Sequence, residues 1–314
     1  MSKILENFGI EKQEKKEAEP SIRLEFFRHD DKEKTPRESD NLVRLSDSGR
    51  VHASEIGKNK DGHPEMGLVY GTSRERTLET AHRQMLANEE IEPEDSLEDI
   101  RKKIDEQIKF GKKEIVDDRL NFDWGGTKKF NEIGYEHFLK LKDALRFLVD
   151  ESDDLAKECK DETSTSYTRT AANFAEVVEK YMNILPRWKQ VVEEDKNKEK
   201  DAKEKKDQKK GYEKFGNEMQ RFCGSHAGTV ENFLMKIIEK IDGKEAVYDF
   251  INSREDKNCF NFSEGYSVII KEKKGQVVGE LKYQNKTWPI TKELLDDIMK
   301  ERDELDREIK ENNF

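Results

Sequence analysis

Cysteine is scarce, and the little there is excludes two kinds of site. The chain has 314 residues and three cysteines, Cys159, Cys223 and Cys259. They match no metal-ligand spacing and cannot pair evenly as disulfides, so they read as reduced thiols of a cytosolic protein. Apolar residues are also in short supply, at 33% against 41% charged, below the usual globular share. Much of the chain is therefore expected to be solvated helix or linker. No run approaches the ~20 apolar residues of a membrane helix. The first 20 residues lack the apolar core of a signal peptide, and a soluble, cytoplasmic protein with no membrane partner is expected. Positive charge is in deficit too. A formal net charge of −11 argues against nucleic acid as a partner, while leaving room for a local basic pocket.

What is present is a set of strands separated by helices. Residues 1–20 read as a polar, disordered tail. Ile22, Leu24 and Phe26 alternate with Arg23 and Glu25, the pattern of a half-buried strand. Ser46 is placed to cap a helix through Ile56, and 67–70 is a second short apolar strand. Leu78, Ala81 and Met85 share one face of the next helix, capped by Thr72 or Ser73. A helix over 96–110 precedes a short strand and loop over 114–126. Two long helices follow, one marked by Phe138, Leu141, Leu145 and Leu148, the other by Phe174, Val178, Tyr181 and Leu185, with Pro186 expected to kink or end it. The Lys-, Glu- and Asp-rich run over 193–210 reads as a solvated excursion. Further strands are predicted at 219–223, 266–270 and 276–283, with a helix over 230–241 and a charged helix over 291–314. The fold class is α/β, a mostly parallel central sheet flanked by helices. One domain over 21–290 carries a helical insertion over about 135–215.

Two fragments stand where such a sheet gathers ligands. Arg28-His29-Asp30 follows the first strand, and Ser225-His226-Ala227-Gly228-Thr229 lies between a strand and a helix. Between them, after the second strand, runs Thr72-Ser73-Arg74-Glu75-Arg76-Thr77-Leu78-Glu79-Thr80-Ala81. Ligands collect beyond the carboxyl ends of parallel strands, and helix N-termini turn free N–H groups toward anions. Imidazole is an available nucleophile at neutral pH, and guanidinium forks onto phosphate oxygens. Phosphate monoesters need that help, since enzymes accelerate their hydrolysis by up to ~10²¹-fold.

The set of motifs resembles the histidine phosphatase superfamily, also called phosphoglycerate-mutase-like, over residues 20–130 and 215–290. That family carries Arg-His-Gly after its first strand, then Leu-Thr-x-x-Gly, Ser-x-x-x-Arg-[Ala/Thr]-x-x-Thr-Ala and a late Ser-His-Gly-Gly. Here these stand as Arg28-His29-Asp30, Leu45-Ser46-Asp47-Ser48-Gly49, Thr72 to Ala81, and Ser225 to Thr229. The resemblance implies His29 as the nucleophile that becomes phosphohistidine, with Arg28, Arg76 and His226 on the transferring phosphoryl group. It implies no cofactor or metal for the core chemistry. Arg74 is off the motif and reads as a surface residue or a secondary contact.

The chain departs from that pattern at two places. Asp30 replaces the family's Gly and brings a carboxylate beside the nucleophile. Phe122, in Arg119-Leu120-Asn121-Phe122-Asp123, stands where a Glu general acid would fall. Asp123 is the candidate acid, with Asp30 its rival. Substrate contacts are expected from the 30–44 loop, with Arg37, and from Ala227 beside His226. The partner is expected to be a phosphorylated small molecule or phosphoprotein, and the charged helical insertion offers a surface for homo-oligomer formation. His52, His63, His82 and His137 are expected on the surface or in loops, and Trp124 and Trp188 as packing anchors. Two alternatives stand: an inactive relative that binds phosphorylated ligands or protein partners, and an HD-type metal site at His29-Asp30.

Overall fold

The computed structural model describes residues 19–35, 37–60, 67–86, 91–107, 113–122, 126–205, 217–254 and 259–311. The 1–20 tail up to residue 18, His63, Asp123, Trp124 and part of the 193–210 run lie outside them. The strands are β1 (Ser21–Arg28), β2 (Gly67–Gly71), β3 (Glu114–Val116), β4 (Glu218–Ser225), β5 (Gly265–Lys273), β6 (Gln276–Tyr283) and β7 (Lys286–Ile290). They form a sheet in the order β3-β2-β4-β1-β5-β6-β7. The half from β3 to β1 is parallel throughout, and β5, β6 and β7 add an antiparallel meander at the other edge. The site-bearing half is the parallel one, and the meander accounts for the mixed character of the whole sheet. Pro289 fits the outermost strand, because an edge position spares the hydrogen bond that proline cannot donate.

Both faces of the sheet are covered. Ile22, Leu24 and Phe26 of β1 point to the larger core, and Phe27 points to a smaller one with Val69, Leu78, Ala81 and Met85. The smaller core lies under α2 (Glu75–Met85) and α3 (Leu97–Gln107), and α1 (Asp47–Lys58), capped by Ser46 accepting from Gly49 N, packs on α2. The larger core is closed by α7 (Tyr167–Lys205), α8 (Thr229–Asp242), α9 (Lys244–Ser253) and α10 (Lys292–Glu311). Charged as it is, α10 buries Leu295, Ile298, Leu305 and Ile309, and Arg169 and Arg302 of its neighbourhood pair with Asp306 and Glu176.

One expectation about helices is corrected, and at Pro186 one of its two alternatives is removed. The first long helix is broken into α4 (Lys128–Tyr135), a π-helical turn (Glu136–Leu141), α5 (Ala144–Asp150) and α6 (Ser152–Cys159). Lys142 takes the left-handed conformation, φ 55°, so Leu145 and Leu148 are buried while Leu139 and Leu141 face outward. An apolar pattern counted at uniform helical spacing misses such an interruption. The second helix, α7, does not end at Pro186. A proline inside a helix costs about 3 kcal/mol. Buried Leu185, Trp188 and Val192 flank it, and each full burial of a large apolar side chain contributes about 1.5–3 kcal/mol. Packing wins.

Among the described residues no helix is long and apolar enough to cross a membrane.

Candidate active site

Strand register brings the two histidines together. In the parallel pairing of β1 and β4, Arg28 lies opposite Ser225, and His29 N donates to Ser225 O at 2.8 Å. His29 and His226 therefore leave the sheet side by side, at its carboxyl end, with ring centroids 5.2 Å apart. Strand β2 is the other neighbour of β4, so Thr72, just past its end, reaches His226 Nε2 through Oγ1 at 3.1 Å. The start of α2 is drawn in closely. A side chain on Gly224 would place its Cβ 2.2 Å from Thr77 O. Gly228, two residues after His226 and at φ +77°, caps the start of α8, in a conformation that favours glycine.

Hydrogen bonds define the state of His29. Its Nδ1 lies 2.6 Å from the Asp30 carbonyl, which can only accept, so Nδ1 carries the proton and Nε2 keeps the lone pair. Arg76 Nε donates to that Nε2 at 3.3 Å. Burial, reinforced by the positive charge of Arg76, holds His29 well below the usual imidazole value of 6.5. Burial, then the neighbouring His29 and Arg76, do the same for His226. Both rings are neutral at pH 7. His226 Nδ1 is buried and has no hydrogen-bond partner among the described residues.

The arginines present a charged floor. Arg76 is buried at the base of α2, and its two terminal nitrogens donate to Asp40 O at 2.9 Å and Asp40 Oδ2 at 3.0 Å. Arg28 donates to the Phe260 carbonyl and stacks over the Phe262 ring at 4.4 Å. Arg74 reaches Asp40 Oδ2 at 2.7 Å and lies over the Phe122 ring at 3.8 Å. Burial alone would raise the Asp40 carboxyl, but the hydrogen bonds and charges of Arg76 and Arg74 outweigh it and hold the group at about 2. Asp40 is thus an anion seated on the guanidinium groups, which shows what this floor accepts. No motif marks it in the sequence, where it is one acid in a charged loop.

Asp30 does not bring its charge into the cavity. Its carboxylate accepts from Asp31 N at 2.8 Å, His52 Nδ1 at 2.7 Å and Ser263 Oγ at 2.5 Å. Its backbone N donates to Thr80 Oγ1 at 3.0 Å, which ties the turn after His29 to α2. Asp30 therefore braces the loop. The further His, Cys, Asp or Glu ligands that an HD-type site requires are not grouped there, and no cluster of three such residues forms among those described. Phe122 packs edge-on against His226, centroids 4.8 Å apart. Ala227 lines the cavity. Arg37 does not: it is exposed and paired with Glu33 at 2.7 Å. His82 is not a surface residue but buried in α2, with Nε2 on Glu114 at 2.6 Å. Trp188 packs in the core as expected.

Behind Arg28, in the first turn of α8, Glu231 is fully buried. Burial pushes its carboxyl up to about 7, against the opposing pull of a hydrogen bond from Phe260 N. An acid raised from 4.5 to about 7 on folding binds a proton that the unfolded chain releases. Its stabilising contribution is complete below pH 4.5 and is lost as pH rises through 7. Glu231→Gln should remove that dependence. Urea unfolding at pH 5 and pH 8 should show the variant losing up to about 3 kcal/mol less stability over this interval than the parent; identical losses would contradict the assignment.

No family model matches the chain, and no curated protein matches it. Among solved structures it is similar to mycobacterial hydrolase 2, at 13% identity and TM-score 0.44, over 90% of this chain and 98% of that one. It is also similar to mycobacterial glucosyl-3-phosphoglycerate phosphatase, at 15% identity and TM-score 0.35, over 80% and 90% of the two chains. The same enzyme with inorganic phosphate gives 13% identity and TM-score 0.38, over 85% and 97%.

Proposed function

We propose that this chain is a metal-independent phosphomonoester hydrolase that works through a phosphohistidine on His29. The observation that carries the reading is the pair of neutral imidazoles on a guanidinium floor, with the lone pair of His29 Nε2 directed to Arg76. In the first step Arg76 Nε–H releases the Nε2 lone pair and turns to a phosphoryl oxygen, Nε2 attacks phosphorus, the N–P bond forms and the ester P–O bond breaks. The leaving oxygen takes a proton from an acid, for which Asp123 is the candidate; it follows Phe122 of the cavity wall and lies outside the described residues. In the second step water attacks phosphorus, the N–P bond breaks, and the carboxylate recovers its proton from the water. The Asp30 carbonyl on Nδ1–H steadies the ring while it carries positive charge. Arg28, Arg76 and His226 hold the phosphoryl oxygens, which gather charge in the transition state. The compartment is proposed to be the cytoplasm.

Hydrolysis of p-nitrophenyl phosphate should proceed without added metal and persist in chelator. Loss with chelator would overturn the metal-independent step. Phosphate binding without hydrolysis would favour the second reading, a noncatalytic binder of phosphorylated ligands or partners, which gains support from Phe122 at the expected acid position.

The pH profile follows from the state of His29. The neutral ring is the nucleophile, and its pKa is depressed, so the competent form survives as pH falls through 6.5. Once the substrate's own ionisation is divided out, the acid limb of kcat/KM should lie below pH 6.5. A limb at or above 6.5 would contradict a buried neutral His29.

A further inference from the structure

The cavity above the charged floor changes character toward its mouth. Its volume is about 490 Å³, within the range of small-molecule sites and more than a phosphoryl group needs. The wall is built by Phe122, Tyr135, Phe138, Leu139, Leu148 and Phe262. Tyr135 and Leu139 are 54% and 58% exposed, held outward by the π-helical turn after α4. The lining cations are Arg28, Lys32 and Arg76. Arg28 and Arg76 form the floor, and Lys32 lies 3.8 Å from Asp40. Among the described residues the wall itself carries no lysine or arginine. A substrate with a second anionic group reaching that wall would have to desolvate the charge against apolar side chains, since the cavity's cations lie on the floor and at Lys32 and its other polar lining, apart from the histidines and acids, is the uncharged Thr165, Thr170, Thr229 and Asn232. A substrate with an aromatic ring would cover those side chains and find edges and faces to stack on.

The geometry points to phosphate monoesters whose alcohol carries an aromatic ring as the substrates of this site, in place of compact polyanionic phosphates. This rests on the phosphatase reading above and adds the substrate class to it. Phenyl phosphate chemistry has two sources, a small aryl ester and a phosphotyrosyl side chain.

Non-hydrolysable phosphonates separate binding from leaving-group reactivity. Calorimetric titration of the full chain with naphthylmethylphosphonate should give a Kd about 30-fold or more below that of methylphosphonate. Phosphonopropionate, which adds a carboxylate, should bind no better than methylphosphonate. The double variant Tyr135→Ser/Leu139→Ser changes exposed residues, and should erase about tenfold of the aryl preference while leaving methylphosphonate affinity unchanged. A peptide bearing phosphonomethylphenylalanine that binds more tightly than the free aryl phosphonate assigns the site to phosphotyrosyl proteins; equal or weaker binding assigns it to small aryl esters. Equal affinity for all the small phosphonates, or preference for phosphonopropionate, would overturn the substrate class and leave the phosphatase reading standing. Binding of none of them would overturn the phosphate site itself.

Discussion

Alanine at His29 should lower kcat for p-nitrophenyl phosphate by at least about 10⁴-fold, the scale on which nucleophile removal acts in other covalent enzymes. In the proposed mechanism the side chain supplies the only atom that bonds to phosphorus in the first step. Its loss leaves water to attack a dianionic ester with no covalent intermediate. The fold should tolerate the change. His29 meets the protein through the Asp30 carbonyl and Arg76, and its backbone N–H bond to Ser225 O is untouched. Inorganic phosphate should therefore still bind to the variant, because Arg28 and Arg76 remain. Turnover within tenfold of the parent would remove His29 from the chemistry.

Arg76→Ala should be the next most damaging change, lowering kcat/KM by about 10²–10³-fold, the cost of losing one strong transition-state donor. Two effects add there. The fork proposed to grip the phosphoryl oxygens would be gone, and the Asp40 carboxylate, then held by Arg74 with Lys32 nearby, would face the incoming phosphate with less compensating charge. Arg76→Lys should recover little, because an ammonium cannot bridge two oxygens as guanidinium does. The second effect can be isolated. Arg76→Ala/Asp40→Ala should recover part of the loss, on the order of tenfold, since residues in one charge network do not act additively. A double variant no better than the single one would show that Asp40 does not compete with phosphate.

The elements that position the site were largely legible in the sequence, because each announces itself locally. The alternation of Ile22, Leu24 and Phe26, the Ser46 cap and the glycine after His226 are properties of a few adjacent residues, and β1, α1 and α8 stand where they point. The residues that tune the site are legible only through tertiary contact. Ser263 reaches Asp30 across 233 positions of sequence, and Asp40 acquires meaning only when the loop folds back onto α2. The same limit explains His82: its partner Glu114 lies on the neighbouring strand β3. The broken helix failed for a different reason. Leu141 continues an apolar pattern without joining the core, and the exposed Leu139 beside it lines the cavity.

The most direct test is the location of the phosphoryl group during turnover. The protein should be mixed with p-nitrophenyl phosphate, quenched in alkali, digested and mapped by mass spectrometry. An acid-labile, alkali-stable phosphoryl adduct on His29, absent from His29→Ala, is the predicted result. Turnover with no phosphoenzyme, or an adduct on any other residue, would contradict the central claim.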